Sequence, residues 1–335
     1  MVVEWASWRW AFAAPALIAA IAVVLAPRVL PAGPGRSGRR LDVPGAVLAT
    51  AGLSALCYGL VEAGEHAWTS PAVLLTLTGG AGLLAAFVVV EARTRTPLLP
   101  PAFFASRRRL TGLAAVLLAS SGTTAVGFFL PLYFQQVRGF SPAATSAAFL
   151  PYALAMFTTG RLAGRLVPRA GHRLTTVAGL LVGAAGLALL AGMDVTSPYV
   201  GAVLAGMVAF PVGASLLFSG GTVASVEDVP DDQAGLAGGV LNTAMEGGPG
   251  LGFAVLVSLS AGHASALRAA GVATVAATTA GYAFALGLAA AAYLLVAVVA
   301  AVTLRSRSPR APRASERTIK ERKPCSIDSP ARSRS

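Results

Sequence analysis

Residues 128–173 constrain this chain more than any other stretch. An apolar run ends in Gln135-Gln136-Val137-Arg138-Gly139, a short turn follows, and a second apolar run ends in a burst of arginines. Each run is about 20 residues long, the length a helix needs to cross the ~30 Å hydrocarbon core of a bilayer. The stretch therefore reads as a helical hairpin that crosses a membrane twice, with its turn on one side and its arginines on the other. A buried helix of a soluble protein would break sooner into an amphipathic pattern.

The same plan recurs along the chain. Apolar runs span residues 8–26, 43–61, 72–90, 110–135, 143–166, 174–193, 199–223, 234–260 and 281–304. Only 12% of residues are charged, about half of what a soluble surface needs, and mean hydropathy is +0.70. The fold class expected is all-α: a polytopic membrane protein with about nine transmembrane helices. Its abundant small residues suit close helix packing in lipid. Trp5, Trp8 and Trp10 read as interfacial anchors of the first helix.

The net charge of +12 raises the possibility of a nucleic-acid partner, but its distribution argues for a membrane. If the connections after the first, third and fifth runs face the cytoplasm with the C-terminal tail, that side holds 23 of the 26 lysines and arginines. Only Arg9, Arg138 and Arg268 lie opposite. Such asymmetry is the positive-inside pattern and places the C-terminus in the cytoplasm. The connection at 223–234 is discordant, carrying Glu227, Asp228, Asp231 and Asp232 without a base, yet acids contribute little to topology. With nine spans, this register leaves the N-terminus outside, as though the chain were the later part of something longer. The basic tail, 305–335, is expected to be disordered and drawn to anionic headgroups.

Few residues carry chemistry. Cys57 and Cys325 lack partner spacing, so neither a disulfide nor a metal site is expected. His66, His172 and His263 sit singly in connections, no nucleophile–base pair is visible, and no enzymatic activity is expected. Asp194 and the acidic connection read as solvated. Glu246 is the exception, because it lies near the middle of the eighth run. An acid at that depth is costly unless it faces a cavity or is protonated, which makes it a proton-coupling candidate. The other reading is a neutral acid hydrogen-bonded within the bundle. Asn242, on the same run, is a candidate for the substrate cavity. Gln135, Gln136 and Tyr133 either line an external mouth or form an interfacial belt. Gly248, Pro249 and Gly252 read as a kink that permits close helix packing. Arg161, Arg165, Arg169 and Arg173 recur every four residues and are expected to form one helical stripe.

Several of these segments resemble a known family. Leu130-Pro131-Leu132-Tyr133-Phe134-Gln135-Gln136 followed by Gly139-Phe140-Ser141-Pro142 is similar to major facilitator superfamily transporters of the 14-helix drug:proton antiporter type. Gly160-Arg161-Leu162-Ala163-Gly164-Arg165 through Arg169-Ala170-Gly171-His172-Arg173 resembles the C-terminal copy of that superfamily's cytoplasmic loop motif, with Pro168 where an aspartate is common. Residues 234–244 resemble the penultimate helix, Ser7-Trp8-Arg9-Trp10 the start of the sixth, and Leu41-Asp42-Val43-Pro44 that of the seventh. The resemblance implies that the chain carries helices six to fourteen. Residues 1–26 would be the last helix of an N-terminal bundle, 27–109 a linker region with two extra helices, 110–304 a C-terminal six-helix bundle, and 305–335 a cytoplasmic tail. It further implies proton-coupled export of small amphiphilic molecules from the cell membrane, with membrane lipid and a small-molecule substrate as partners. No cofactor beyond the proton gradient is implied. Gly160, Arg161, Gly164, Arg165, Arg169, Gly171 and Arg173 would act as a gating loop. The alternative is a truncated remnant that does not transport.

Overall fold

The computed structural model describes residues 10–29, 42–66, 68–94, 101–230 and 233–304. Trp5, Trp8, Arg9, most of the connection at 27–41, Asp231, Asp232, Cys325 and the tail lie outside them. Within this set the chain is helical, with no strand. The helices are α1 (Trp10–Val29), α2 (Val43–Glu65), α3 (Pro71–Arg93), α4 (Arg107–Leu132), α5 (Pro142–Ala148), α6 (Leu150–Ala191), α7 (Leu204–Val226), α8 (Ala234–Gly247), α9 (Phe253–Ala269) and α10 (Thr274–Thr303). Wider π turns, Tyr133–Val137, Tyr199–Val203 and Gly248–Gly252, extend α4, precede α7 and join α8 to α9.

Local chemistry sets the helix starts. Asp42, Ser70, Ser106 and Ser141 each accept a hydrogen bond from the backbone N–H three residues on, which satisfies donors a first turn leaves open. Pro71 and Pro142 follow their caps directly, where a missing N–H costs nothing. Gly139, at φ 68°, turns the chain between the π turn after α4 and the start of α5.

Seven stretches among the described residues are long and apolar enough to cross a membrane. One of them contains α6, whose 42 residues would reach about twice the thickness of a hydrocarbon core. Its backbone breaks at Gly171, with φ 80° and ψ 152°, a conformation that only glycine adopts freely. The break separates residues 150–170 from 172–191, so this stretch makes two passes. Counted twice, that stretch brings the candidate passes among the described residues to eight, α1 adds a shorter apolar helix over Pro15–Arg28, and the chain is a multi-pass membrane protein.

Three expectations are corrected. The Gly171 break ends the arginine stripe after Arg169, and Arg173 instead starts the next helix and donates to the Ala301 carbonyl at 2.9 Å. The last helix begins at Thr274 rather than Gly281. Its threonines return their hydroxyl protons to the helix, Thr278 to the Thr274 carbonyl and Thr279 to that of Val275, both at 2.8 Å. The eighth run continues through its π turn to Ala269, beyond Ser260.

The core lies between α4, residues 172–191, α7 and α10, around Phe129, Leu130, Phe134, Leu180, Leu187, Met207, Phe210, Leu217, Leu286 and Tyr293. The closest seam joins 172–191 to α7. Gly179, Gly183 and Gly186 face Gly206, Gly213 and Gly220, so that a Cβ at most of these positions would strike backbone atoms of the opposite helix. Lipid supplies no hydrophobic force between helices, and small residues gain van der Waals contact by letting backbones meet. Tyr293 fills the room beside Gly122 and Gly183 and donates to the Leu118 carbonyl at 3.1 Å. Helices α2 and α3 pack as a pair, and α2 meets α9 where Ser258 donates to the Ala63 carbonyl at 2.8 Å. Helix α1 is exposed along nearly all of its described length.

Candidate functional site

A cavity of about 440 Å³ opens among four helices and one π turn. Its wall takes Ala119, Ser120, Thr123 and Thr124 from α4, Met156 and Gly160 from α6, and Ala214, Ser215, Phe218 and Ser219 from α7. Met245 and Glu246 of α8 and Pro249 of the π turn complete it. The surface is mostly apolar, with hydroxyls and one carboxylate set into it, the usual composition of a small-molecule site.

The sequence explains how helices can carry so many hydroxyls. Ser120, Thr123 and Thr124 each donate to the carbonyl four residues back, at 3.1, 2.8 and 3.0 Å. Ser215 donates across the wall to the Met156 carbonyl at 3.3 Å. Each of these four donors is satisfied by a carbonyl, which leaves its oxygen lone pairs for another partner.

The structure brings together only part of the candidate set. Glu246, Gly160 and Pro249 line the cavity. Glu246 is exposed there rather than buried within the bundle, and Asn242, one turn earlier, is exposed but outside the lining. Gly248 and Gly252 lie against α4: Ser121 donates to the Gly248 carbonyl at 3.0 Å, and a Cβ on Gly252 would overlap the Ser121 side chain. The π turn at Pro249 is thus held where helix backbones meet.

Gln135 and Gln136 are exposed in the π turn after α4 and do not line the cavity. Tyr133 is corrected from mouth or belt to core. It is 1% exposed and donates its phenolic proton to the Asp194 carbonyl at 2.8 Å. Asp194 is exposed, as expected of a solvated acid, but its carboxylate organises the turn before α7. Hydrogen bonds from the Thr196 hydroxyl and N–H and from the Ser197 hydroxyl hold it below the ordinary 3.8. Of the loop residues, Arg161 lies over the Phe157 ring at 4.4 Å, while Arg165 and Arg169 are exposed. Gly164 has open space where a side chain would be.

Two features escaped the sequence reading. One is the hydroxyl patch itself, marked by Ser120-Ser121 and Thr123-Thr124 within an apolar run, and by Ser215 and Ser219 four residues apart. The other is an ionic cluster at one end of the bundle. Arg108 at the start of α4 binds Glu227 and, at 3.3 Å, Asp228, both just after α7. His172, beside the Gly171 break, lies 3.1 Å from Glu227 and 2.9 Å from Arg108. His172 is therefore not a lone residue, and Glu227 and Asp228 of the discordant acidic connection are exposed as expected but also paired. His66 is not alone either, since Glu62 lies 3.0 Å away, and His263 stacks on Phe284.

The Arg108–Glu227 contact is partly exposed, so its worth is modest. A double-mutant cycle of Arg108→Gln and Glu227→Gln, read by thermal unfolding in detergent, is expected to give a coupling of about 0.5–1 kcal/mol that falls as salt is added. A coupling of zero at low salt would mean that the contact holds nothing together.

Comparison with known proteins agrees with the helical plan. Residues 1–253 match the Major Facilitator Superfamily. The chain is 36% identical over 320 residues to a puromycin resistance protein of Streptomyces alboniger, a match covering 93% of this chain and 63% of that protein. It is 38% identical over 262 residues to a cephamycin export protein of Amycolatopsis lactamdurans, covering 77% and 54%. A tetracenomycin C resistance and export protein of Streptomyces glaucescens matches at 32% over 232 residues, covering 68% and 42%. The chain thus spans less than two thirds of the length of these relatives. A succession of long apolar helices, glycine-lined seams and a family match over three quarters of the sequence lead to one assignment: the chain belongs to the Major Facilitator Superfamily.

Proposed function

We propose that the chain forms part of a secondary active transporter that exports small amphiphilic molecules in exchange for protons. The observation that carries this reading is the cavity between α4, α6, α7 and α8, whose apolar wall holds a single ionisable side chain, Glu246. An apolar wall is permissive toward amphiphiles, and a lone carboxylate can take up and release a proton without a partner to hold it. The relatives named for export and resistance favour the same direction of transport.

In this reading α4 to α10 make up the C-terminal six-helix bundle of a 14-helix transporter, α2 and α3 are its linker helices, and α1 closes the preceding bundle. The C-terminus is cytoplasmic, which sets the Arg108 cluster and the Gly171 break on the inner face. Arg161, Arg165, Arg169 and Arg173 then flank that face as the gating loop. A non-transporting remnant is the second reading.

Transport in proteoliposomes carrying the 335-residue chain separates the two readings. Under the first, an imposed pH gradient drives accumulation of a fluorescent amphiphilic dye, and a protonophore abolishes it. Accumulation no greater than in protein-free liposomes would favour the remnant.

A further inference from the structure

We infer that Ser219 is the point in the cavity wall that reads a hydrogen-bond acceptor on the guest, so that the carbonyl oxygen of a neutral amphiphile is held there; this rests on the export reading above and names a feature of its substrates. The five lining hydroxyls differ in what has become of their protons. Ser120, Thr123 and Thr124 donate to carbonyls of their own helix, and Ser215 donates to the Met156 carbonyl. Ser121 and Ser225, on α4 and α7 but outside the wall, also return theirs to the backbone.

Ser219 is the exception. It lies one turn after Ser215 on the same face of α7 and is half-buried in the wall. Among the described residues no carbonyl accepts from it, and neither does the Glu246 carboxylate. A serine hydroxyl carries one proton and rotates to suit its acceptor, so this proton is available to a guest.

Two costs then favour a guest with an acceptor at that point. A carbonyl leaving water for a mostly apolar wall loses a hydrogen bond, and Ser219 replaces it. A hydrocarbon of the same shape displaces water from the Ser219 hydroxyl and leaves it without a partner. Phe218, next to Ser219, and Met245 of α8 take the apolar part of either guest.

The test is a two-by-two comparison of 2-acetonaphthone and 2-ethylnaphthalene on the unmodified chain and on Ser219→Ala. The probes share ring system and size, and only the ketone has an acceptor. Binding to the whole chain in nanodiscs is measured by equilibrium dialysis, with empty nanodiscs as the blank to remove partition into lipid. Ser219→Ala is expected to weaken the ketone about fivefold and to leave the hydrocarbon within about twofold. Should the alanine variant not fold, Ser219→Cys, close in size and only a weak donor, is expected to give the same contrast.

A ketone affinity that survives the substitution, or a loss shared equally by both probes, overturns the role of Ser219 while the export reading stands. No binding by either probe to the unmodified chain above the blank overturns both.

Discussion

Gly213→Leu is expected to abolish the folded state of the bundle, whereas Gly164→Leu leaves it unchanged. Gly213 faces Gly183, and a Cβ added there would overlap the Gly183 backbone nitrogen and come within 2.7 Å of the Gly179 carbonyl. The obstacle is main chain, which cannot move aside as a side chain does. The two helices must separate, and every contact of the seam from Gly179 to Gly220 weakens with distance. Overpacking a core costs about 1–3 kcal/mol when side chains can shift, and this position should exceed that range. Between membrane helices that loss is not offset by burial, because lipid is as apolar as the seam. Gly164 has no heavy atom within 4 Å of its added Cβ, so the same change there meets only open space. Thermal unfolding and gel filtration of the two detergent-solubilised variants will show the contrast. A Gly213→Leu protein that elutes and melts like the unsubstituted chain would refute the seam.

The second large effect is on coupling. Glu246→Gln is expected to make dye movement in proteoliposomes indifferent to an imposed pH gradient, while downhill movement continues. Glutamine keeps the size of the side chain and its hydrogen bonding but cannot bind and release a proton. Glu246 is the one titratable group in the cavity wall, so no neighbour there can take over. Glu246→Asp should restore part of the response, because the proton-binding chemistry returns with a shorter reach. A glutamine variant that still follows the gradient would place coupling elsewhere in the chain.

Much of this architecture was legible before any coordinates, and the reason is the solvent. In lipid each crossing segment must satisfy its own backbone, so spans announce themselves as apolar runs. The turn at Gly139 and the two-pass reading of 143–193 both follow from local chemistry. What misled was polarity that helices absorb. Thr274 to Thr279 and the Ser120–Thr124 patch return hydroxyl protons to their own backbones, so the first looked like a connection and the second left no mark as a site. Tyr133 was misplaced because its phenol finds its acceptor 61 residues away, on the Asp194 carbonyl. The pairing of Arg108 with Glu227, 119 residues apart, is likewise tertiary, and no local pattern encodes it.

Helices α2 and α3 meet the rest where Ser258 reaches the Ala63 carbonyl and the Cys57 thiol lies beside Gly250. Mechanically these two helices are passengers. With a hydrogen bond in lipid as their fastening and no aqueous surface to slide over, they travel with α9 whenever it tilts.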